Sequence, residues 1–232
     1  FLGSGAFGLP TVRSLDASHD LLAVVSQPDR PAGRARRNTP TPISEWAMDR
    51  SKELIRPEDV NDPEVVRMIR GFEPDALVVI AFGQKIGEPL LQDLPAFNLH
   101  ASLLPAYRGA APINRAMIDG CSETGVSVIE LAQRMDAGDV HATRTLEIDP
   151  LETAGELHDR LAALGPDAVE SVLEALAAGA VDVLLVALEA SDPPALQLVK
   201  LVWPSAKVLA AISPAPGAGG RVVHTRALRI PA

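Results

Sequence analysis

The chain has 232 residues, 47% of them hydrophobic, with a formal net charge of -9. That length and apolar content suit one large domain, or one domain with a small appendage, and exclude a disordered chain. The acidic balance excludes general nucleic-acid binding, so a phosphate-bearing partner has to meet a local basic patch.

In chain order, Phe1-Leu2 reads as a strand end that turns into a helix through Gly3-Ser4-Gly5-Ala6-Phe7-Gly8. A chain that opens at Phe1 inside a strand is expected to lack its natural start. Leu21–Ser26 is apolar along its length and reads as a strand buried on both faces. Gln27 to Arg37 reads as a loop running on to Pro40 and Pro42. A helix at Ser44–Asp49 and a short strand at Leu54–Ile55 follow. Asp62-Pro63 opens a helix to about Gly71, with Asp62 as N-cap and Pro63 in the first position. Ala76–Ala81 carries the strongest strand signal, bounded by Pro74 and Gly83. Phe97–Ser102 is a strand and Ala111–Asp119 a helix. Val126–Leu131 and Val140–Ile148 are strands on either side of a loop that carries Asp136. Glu152–Ala178 is a long helical stretch with a break at Gly165-Pro166, and Ala190–Pro194 reads as linker. Strands alternating with helices predict an α/β fold with a mostly parallel, Rossmann-like sheet and helices on both faces. A strand near Arg221–Arg229 is expected in a small terminal unit.

Four sequence features bear on chemistry. Gly3-x-Gly5-x-x-Gly8 matches the dinucleotide fingerprint in letters, but the acidic residue after the second strand, Asp29, lies in a Pro/Arg loop. The motif reads as a tight strand-to-helix turn that can still offer backbone N–H groups to an anion or carbonyl. The loop from Asp29 to Arg37 holds Arg30, Arg34, Arg36 and Arg37 against one acid. A stiff positive finger on a negative body suits one phosphate-rich partner met at one place. In an extended strand, residues two apart share a face, so Asn98 and His100 can meet one pocket while Phe97 and Leu99 face away. Met135-Asp136-Ala137-Gly138-Asp139 supplies a carboxylate, with Asp136 taken as the acid and Asp139 as a structural loop residue. An amide that donates to a carbonyl oxygen, and an imidazole paired with a carboxylate, suit acyl-type transfer to an amine. The single cysteine, Cys121, forms no internal disulfide and reads as an incidental thiol. His19, His141, His158 and His224 show no metal spacing, so no metal is expected.

These residues resemble the 10-formyltetrahydrofolate-dependent formyltransferases, and within them the branch that acts on methionyl-tRNA. The resemblance rests on Asn98-x-His100-x-Ser102-Leu103-Leu104-Pro105-x-x-Arg108-Gly109-x-x-Pro112, on Thr124-Gly125-Val126, on Met135-Asp136-x-Gly138-Asp139 and on Gln27-Pro28-Asp29-Arg30-Pro31-Ala32-Gly33-Arg34. It covers about residues 1–180.

The resemblance implies formyl transfer from 10-formyltetrahydrofolate to the α-amino group of initiator methionyl-tRNA through a tetrahedral intermediate. It gives Asn98, His100 and Asp136 catalytic roles. It implies folate contacts at Val79, Ile80, Ala81, Phe82 and Gly83, at Ser102, Leu103, Leu104 and Pro105, and at Gly138. It implies substrate or tRNA contacts at Gly3, Ser4, Arg30, Arg34, Arg36, Arg37 and Arg108. The implied organisation is a catalytic domain over residues 1–188, a linker over 189–202 and part of a C-terminal β-barrel-type domain over 203–232, with too few strands for a whole barrel. No membrane partner, a monomeric state and a cytoplasmic location are expected. The alternatives are a formyltransferase for an amino-sugar nucleotide or a ribonucleotide amine, a formyl-folate hydrolase, or a non-catalytic nucleotide-binding module. The last gives Asn98, His100 and Asp136 no task.

Overall fold

A computed structural model describes residues 1–32, 36–179, 185–189 and 209–213. Its chain contacts divide into two units, Phe1–Val172 and Leu173–Ala232. The elements of the first run β1 (Leu2–Gly3), a short 3-10 turn (Ala6–Gly8), α1 (Leu9–Ser18), β2 (Val24–Val25), β3 (Arg30–Ala32), β4 (Arg37–Thr39), α2 (Pro42–Asp49), β5 (Leu54–Ile55) and α3 (Pro63–Arg70). Then come β6 (Leu77–Ile80), α4 (Glu88–Leu91), β7 (Ala96–His100), α5 (Pro112–Ile118), β8 (Glu123–Glu130), β9 (Val140–Glu147) and α6 (Ala154–Ala177), whose last residues from Leu173 on fall in the second unit. In the second unit, β10 (Leu185–Glu189) pairs in parallel with β11 (Leu209–Ser213). Of residues 189–232, assigned above to a linker and a partial barrel-type domain, only Glu189 and 209–213 are described. The strand expected near Arg221 lies outside the described residues.

A seven-stranded sheet in the order β5-β2-β1-β6-β7-β8-β9 organises the first unit. Its five strands from β5 to β7 are parallel, and β8 and β9 add an antiparallel edge. The mostly parallel α/β sheet predicted from the strand–helix alternation is therefore the fold observed. Burial follows from doubly covered strands. All four residues of β6 are buried. Leu77 and Val79 join a core with Leu2, Val25, Ile69 and Leu90, which the α3 and α4 side of the sheet closes. Ile80 turns the other way, where it and Ile43 both lie beside Gly8. Leu99 meets Gly165 of α6 on its own side.

Local chemistry sets the helix starts. Thr41 caps α2, its hydroxyl accepting the Ser44 N–H at 3.0 Å. Asp62 caps α3 by accepting the Glu64 N–H at 2.8 Å, with Pro63 next, as expected. Thr153 and Glu156 form a reciprocal cap ahead of α6: Thr153 N–H donates to the Glu156 carboxylate at 2.7 Å, and Glu156 N–H donates back to Thr153 Oγ1 at 3.3 Å. The Thr153 backbone and hydroxyl hold the Glu156 carboxyl below its ordinary range. Its share of stability is present at neutral pH and fades as pH falls through that lowered value.

Several expectations change. The strand expected over Leu21–Ser26 shrinks to Val24–Val25, because its neighbours β1 and β5 are each two residues long and offer no more ladder. Leu21 and Leu22 are not fully buried. The loop expected over Gln27–Arg37 holds an antiparallel hairpin, β3 with β4, pairing Arg30 with Thr39 and Ala32 with Arg37. The short helix α4 had no counterpart in the sequence reading. The break expected at Gly165-Pro166 is absent: α6 runs through Pro166 without interruption. Leu161, Ala162, Gly165, Ala168 and Val169 around the proline are all buried. Packing of that face outweighs the hydrogen bond a proline removes.

Leu161 is 0% exposed. Replacing it with alanine is expected to lower the unfolding free energy by about 2–5 kcal/mol, read as a fall in the urea midpoint with an unchanged slope.

Candidate active site

Parallel register levels the ends of three strands. Leu2 lies opposite Val79, and Val79 lies opposite Asn98. The segments just past β1 and β6, and the end of β7, therefore open on one crevice, where open α/β sheets bind ligands. A cavity of about 890 Å³ fills it. Gly5 and Phe7 wall one side, Val79 and Ala81 to Gly83 the floor, and Ile129 to Gln133 the far side. Asn98, His100 and Asp136 all reach it.

Asn98 and His100 share a face, as the strand period requires, and Asn98 is half-buried. Phe97 packs edge-on against His141 with ring centroids 5.3 Å apart. His100 Nε2 lies 3.0 Å from the carbonyl oxygen of Tyr107. A carbonyl only accepts, so Nε2 carries the hydrogen and Nδ1 is the nitrogen left to take up a proton. Nδ1 lies 3.7 Å from Asp136 Oδ2, with the two side chains 8% and 12% exposed. That separation is an ion-pair distance, longer than a hydrogen bond. The same Asp136 oxygen accepts the Gly109 N–H at 2.8 Å.

Tyr107 and Asp136 both hold left-handed backbone, with φ of 56° and 49°. Such conformations in residues other than glycine cost about 1–3 kcal/mol each. Here they turn the Tyr107 carbonyl and the Asp136 carboxylate onto the two sides of one imidazole. The Tyr107 hydroxyl lies 3.0 Å from Cys121 Sγ, and that contact is the main cause that raises the phenol above its ordinary pKa.

The remaining expected site residues separate into two groups. Val79, Ala81, Phe82 and Gly83 line the cavity; Ile80 does not, being buried on the opposite face of β6. Ser102, Leu103, Leu104 and Pro105 also lie off the wall. They build the turn: Ser102 Oγ donates to the Ala106 carbonyl at 2.6 Å, and Ser127 Oγ donates to the Ser102 carbonyl at 2.8 Å while accepting the Leu104 N–H at 3.1 Å. Gly138 lies off the wall as well. A Cβ there would collide with the backbone of Glu130, so its glycine serves close chain packing.

Gly3 lies against Phe1 and the Ile80 carbonyl, and Ser4 Oγ donates to the Phe82 carbonyl at 2.9 Å; neither lines the cavity. Arg30 pairs with Glu58 at 2.5 Å, and Arg56 pairs with Asp29 at 2.8 Å. Arg36, Arg37 and Arg108 are exposed and off the cavity wall, and Arg34 lies outside the described residues.

The Gly3–Gly8 turn, expected to border the pocket, does so through Gly5 and Phe7; Asn114 and His158 also line the cavity and were not among the expected site residues. Phe7 and His158 meet edge to face at 5.3 Å. His158 sits on α6, far from the motifs, and no sequence signal marks it. Among the described residues, no group of His, Cys, Asp and Glu could hold a metal ion.

The model of the family described as formyl transferase matches residues 9–173. The methionyl-tRNA formyltransferase of Geobacter metallireducens is 42% identical over 183 residues, 77% of this chain and 58% of that protein. That of Moorella thermoacetica is 43% identical over 182 residues, with the same two shares of 77% and 58%. The chain thus spans about 58% of the length of these curated relatives. Among solved structures, glycinamide ribonucleotide transformylase 1 from Geobacillus kaustophilus superposes with a TM-score of 0.59 at 27% identity, over 75% of this chain and 94% of that one.

Because the Glu130 backbone leaves no room beside Gly138, Gly138→Ala is expected to lower the unfolding free energy by about 1–3 kcal/mol, read by urea denaturation followed by circular dichroism.

Proposed function

The chain belongs to the formyl transferase family, and we propose that it moves a formyl group from 10-formyltetrahydrofolate to the α-amino group of initiator methionyl-tRNA. One observation carries the reading. An amide, an imidazole and a carboxylate from two separate segments converge on one cavity, and the carboxylate is turned there by left-handed backbone and the Gly109 N–H. The name carried by the Geobacter and Moorella relatives supports the choice of acceptor.

The cavity suits the donor. Its volume of about 890 Å³ lies within the usual range for small-ligand sites. Val79, Phe82, Ile129 and Leu131 give it apolar surface for a flat pterin, and the chain at 81–83 and 130–133 brings peptide groups to that surface.

The chemistry follows from the groups present. The neutral amine attacks the formyl carbon, a C–N bond forms, and the carbonyl electron pair moves onto oxygen. The Asn98 side-chain N–H donates to that oxygen as it becomes negative. His100 Nδ1 takes the proton the amine must lose, and the imidazolium so formed lies beside the Asp136 carboxylate. On collapse the bond to folate N10 breaks, and His100 returns the proton to that nitrogen. The two ends of the Asp29–Arg37 segment form the β3–β4 hairpin. Its exposed Arg36 and Arg37, with Arg34, supply the positive charge for tRNA phosphates. No second copy is needed, since Asn98, His100 and Asp136 come from one chain, and a monomer acting in the cytoplasm is the simplest assembly. No described helix is long and apolar enough to cross a membrane.

The test uses purified protein, 10-formyltetrahydrofolate and methionyl-tRNA, with formyl-methionine as readout. His100→Ala and Asp136→Ala are expected to lose about 10²–10⁴-fold in kcat/KM, and Asn98→Ala about 10²–10³-fold in kcat, each with an unchanged circular dichroism spectrum. Full activity in His100→Ala would overturn the catalytic assignment. Arg34→Ala is expected to raise KM for the tRNA and leave KM for the folate as it was.

A further inference from the structure

The sequence groups Gln27 with the arginine segment it begins, yet its contacts run the other way. The Gln27 side-chain amide donates to the carbonyl of Phe82 at 3.0 Å. Its backbone N–H donates to Ser4 Oγ at 3.1 Å, and Ser4 Oγ donates to the same Phe82 carbonyl at 2.9 Å. Both lone pairs of that carbonyl are therefore occupied. Gly83, next in the chain, has φ of 84°, and a Cβ built on it would collide with the Gln27 amide nitrogen. Phe82 and Gly83 line the cavity, whereas Gln27 does not.

We infer that Gln27 is a positioning residue for the formyl-donor side of the cavity, while the rest of its segment serves the acceptor. The peptide between Phe82 and Gly83 is planar and trans, so its N–H and C=O point opposite ways. With the carbonyl tied back to Gln27 and Ser4, the Gly83 N–H faces away from them, as a donor for a folate held against the 81–83 wall. Gly83 has no side chain, which leaves the Gln27 amide its place, and the left-handed φ is one that glycine adopts without steric cost. The two residues thus specify each other across 56 positions of sequence. This inference rests on the function proposed above.

The experiment measures KM for 10-formyltetrahydrofolate and for methionyl-tRNA separately, together with tetrahydrofolate binding by calorimetry, for the wild type and Gln27→Met. Methionine keeps the length of the side chain and removes the donor. Losing one neutral hydrogen bond is worth about three- to tenfold, so the folate KM and dissociation constant are expected to rise by that factor while the tRNA KM holds. An unchanged folate KM, or a rise confined to the tRNA KM, overturns the inference. A wild type that does not bind tetrahydrofolate sinks the functional reading itself, a different failure. If Gln27→Met does not fold, Gly83→Ala and the Gly83→Ala/Gln27→Ala double variant carry the question. The double is expected to bind folate more tightly than the single, because the collision is gone; equal or weaker binding by the double overturns the inference.

Discussion

Everything at the site depends on the register that sets Leu2, Val79 and Asn98 side by side on β1, β6 and β7. Parallel strands in register end together, and the strand order doubles back at β1, with β2 on one side and β6 on the other. The crevice that results is a consequence of sheet topology and needs no special residue to open it. What the sequence has to supply is the exit of each strand. β1 leaves through the Gly3–Gly8 turn, β6 through Ala81 in the left-handed region at φ 46°, and β7 through the turn that Ser102 and Ser127 hold together. A slip of one residue in β7 would turn Asn98 and His100 into the opposite core and bring Phe97 to the face they now occupy.

The motif letters divide into chemistry and scaffold once their contacts are known. Asn98, His100 and Asp136 present functional groups to the cavity. Ser102, Leu104 and Ser127 spend their hydrogen bonds within the turn, Ser102 Oγ on the Ala106 carbonyl and Ser127 Oγ on Ser102 and Leu104, next to the Tyr107 carbonyl that meets His100 Nε2. Gly125 lies where a Cβ would meet the Arg144 backbone, and Gly138 lies where one would meet Glu130. Both glycines let β8 and the chain that follows it run close together. A short motif can thus be dense in residues that never touch a ligand, because holding one imidazole requires a rigid turn beneath it.

Much of this was legible in the sequence. The two-residue spacing of Asn98 and His100, the apolar run of β6 and the Asp62-Pro63 helix start are local signals, and local physics decides them. The failures share a cause, since each depended on a partner distant in sequence. The extent of β2 is set by the lengths of β1 and β5. Continuity of α6 through Pro166 is set by Leu99 and Thr11 beneath Gly165. Arg30, counted among the cations of a free finger, is engaged by Glu58 from another loop. His158 enters the cavity wall because α6 passes Phe7. A pattern read along the chain carries no information about such encounters.

The pairing of His100 with Asp136 is better explained by chemistry than by stability. Partly buried ion pairs add little net stabilisation, since desolvation opposes the attraction. The backbone that builds this one is left-handed at Tyr107 and at Asp136, a conformation less favourable for the tyrosine than for the aspartate. A fold optimised for stability alone would place asparagine or glycine at such φ values, or an apolar side chain in place of the imidazole. The chain instead keeps a proton acceptor with one nitrogen committed to a carbonyl and the other facing a carboxylate. In the reaction proposed above, that arrangement would set the carboxylate beside the imidazole while it carries the proton.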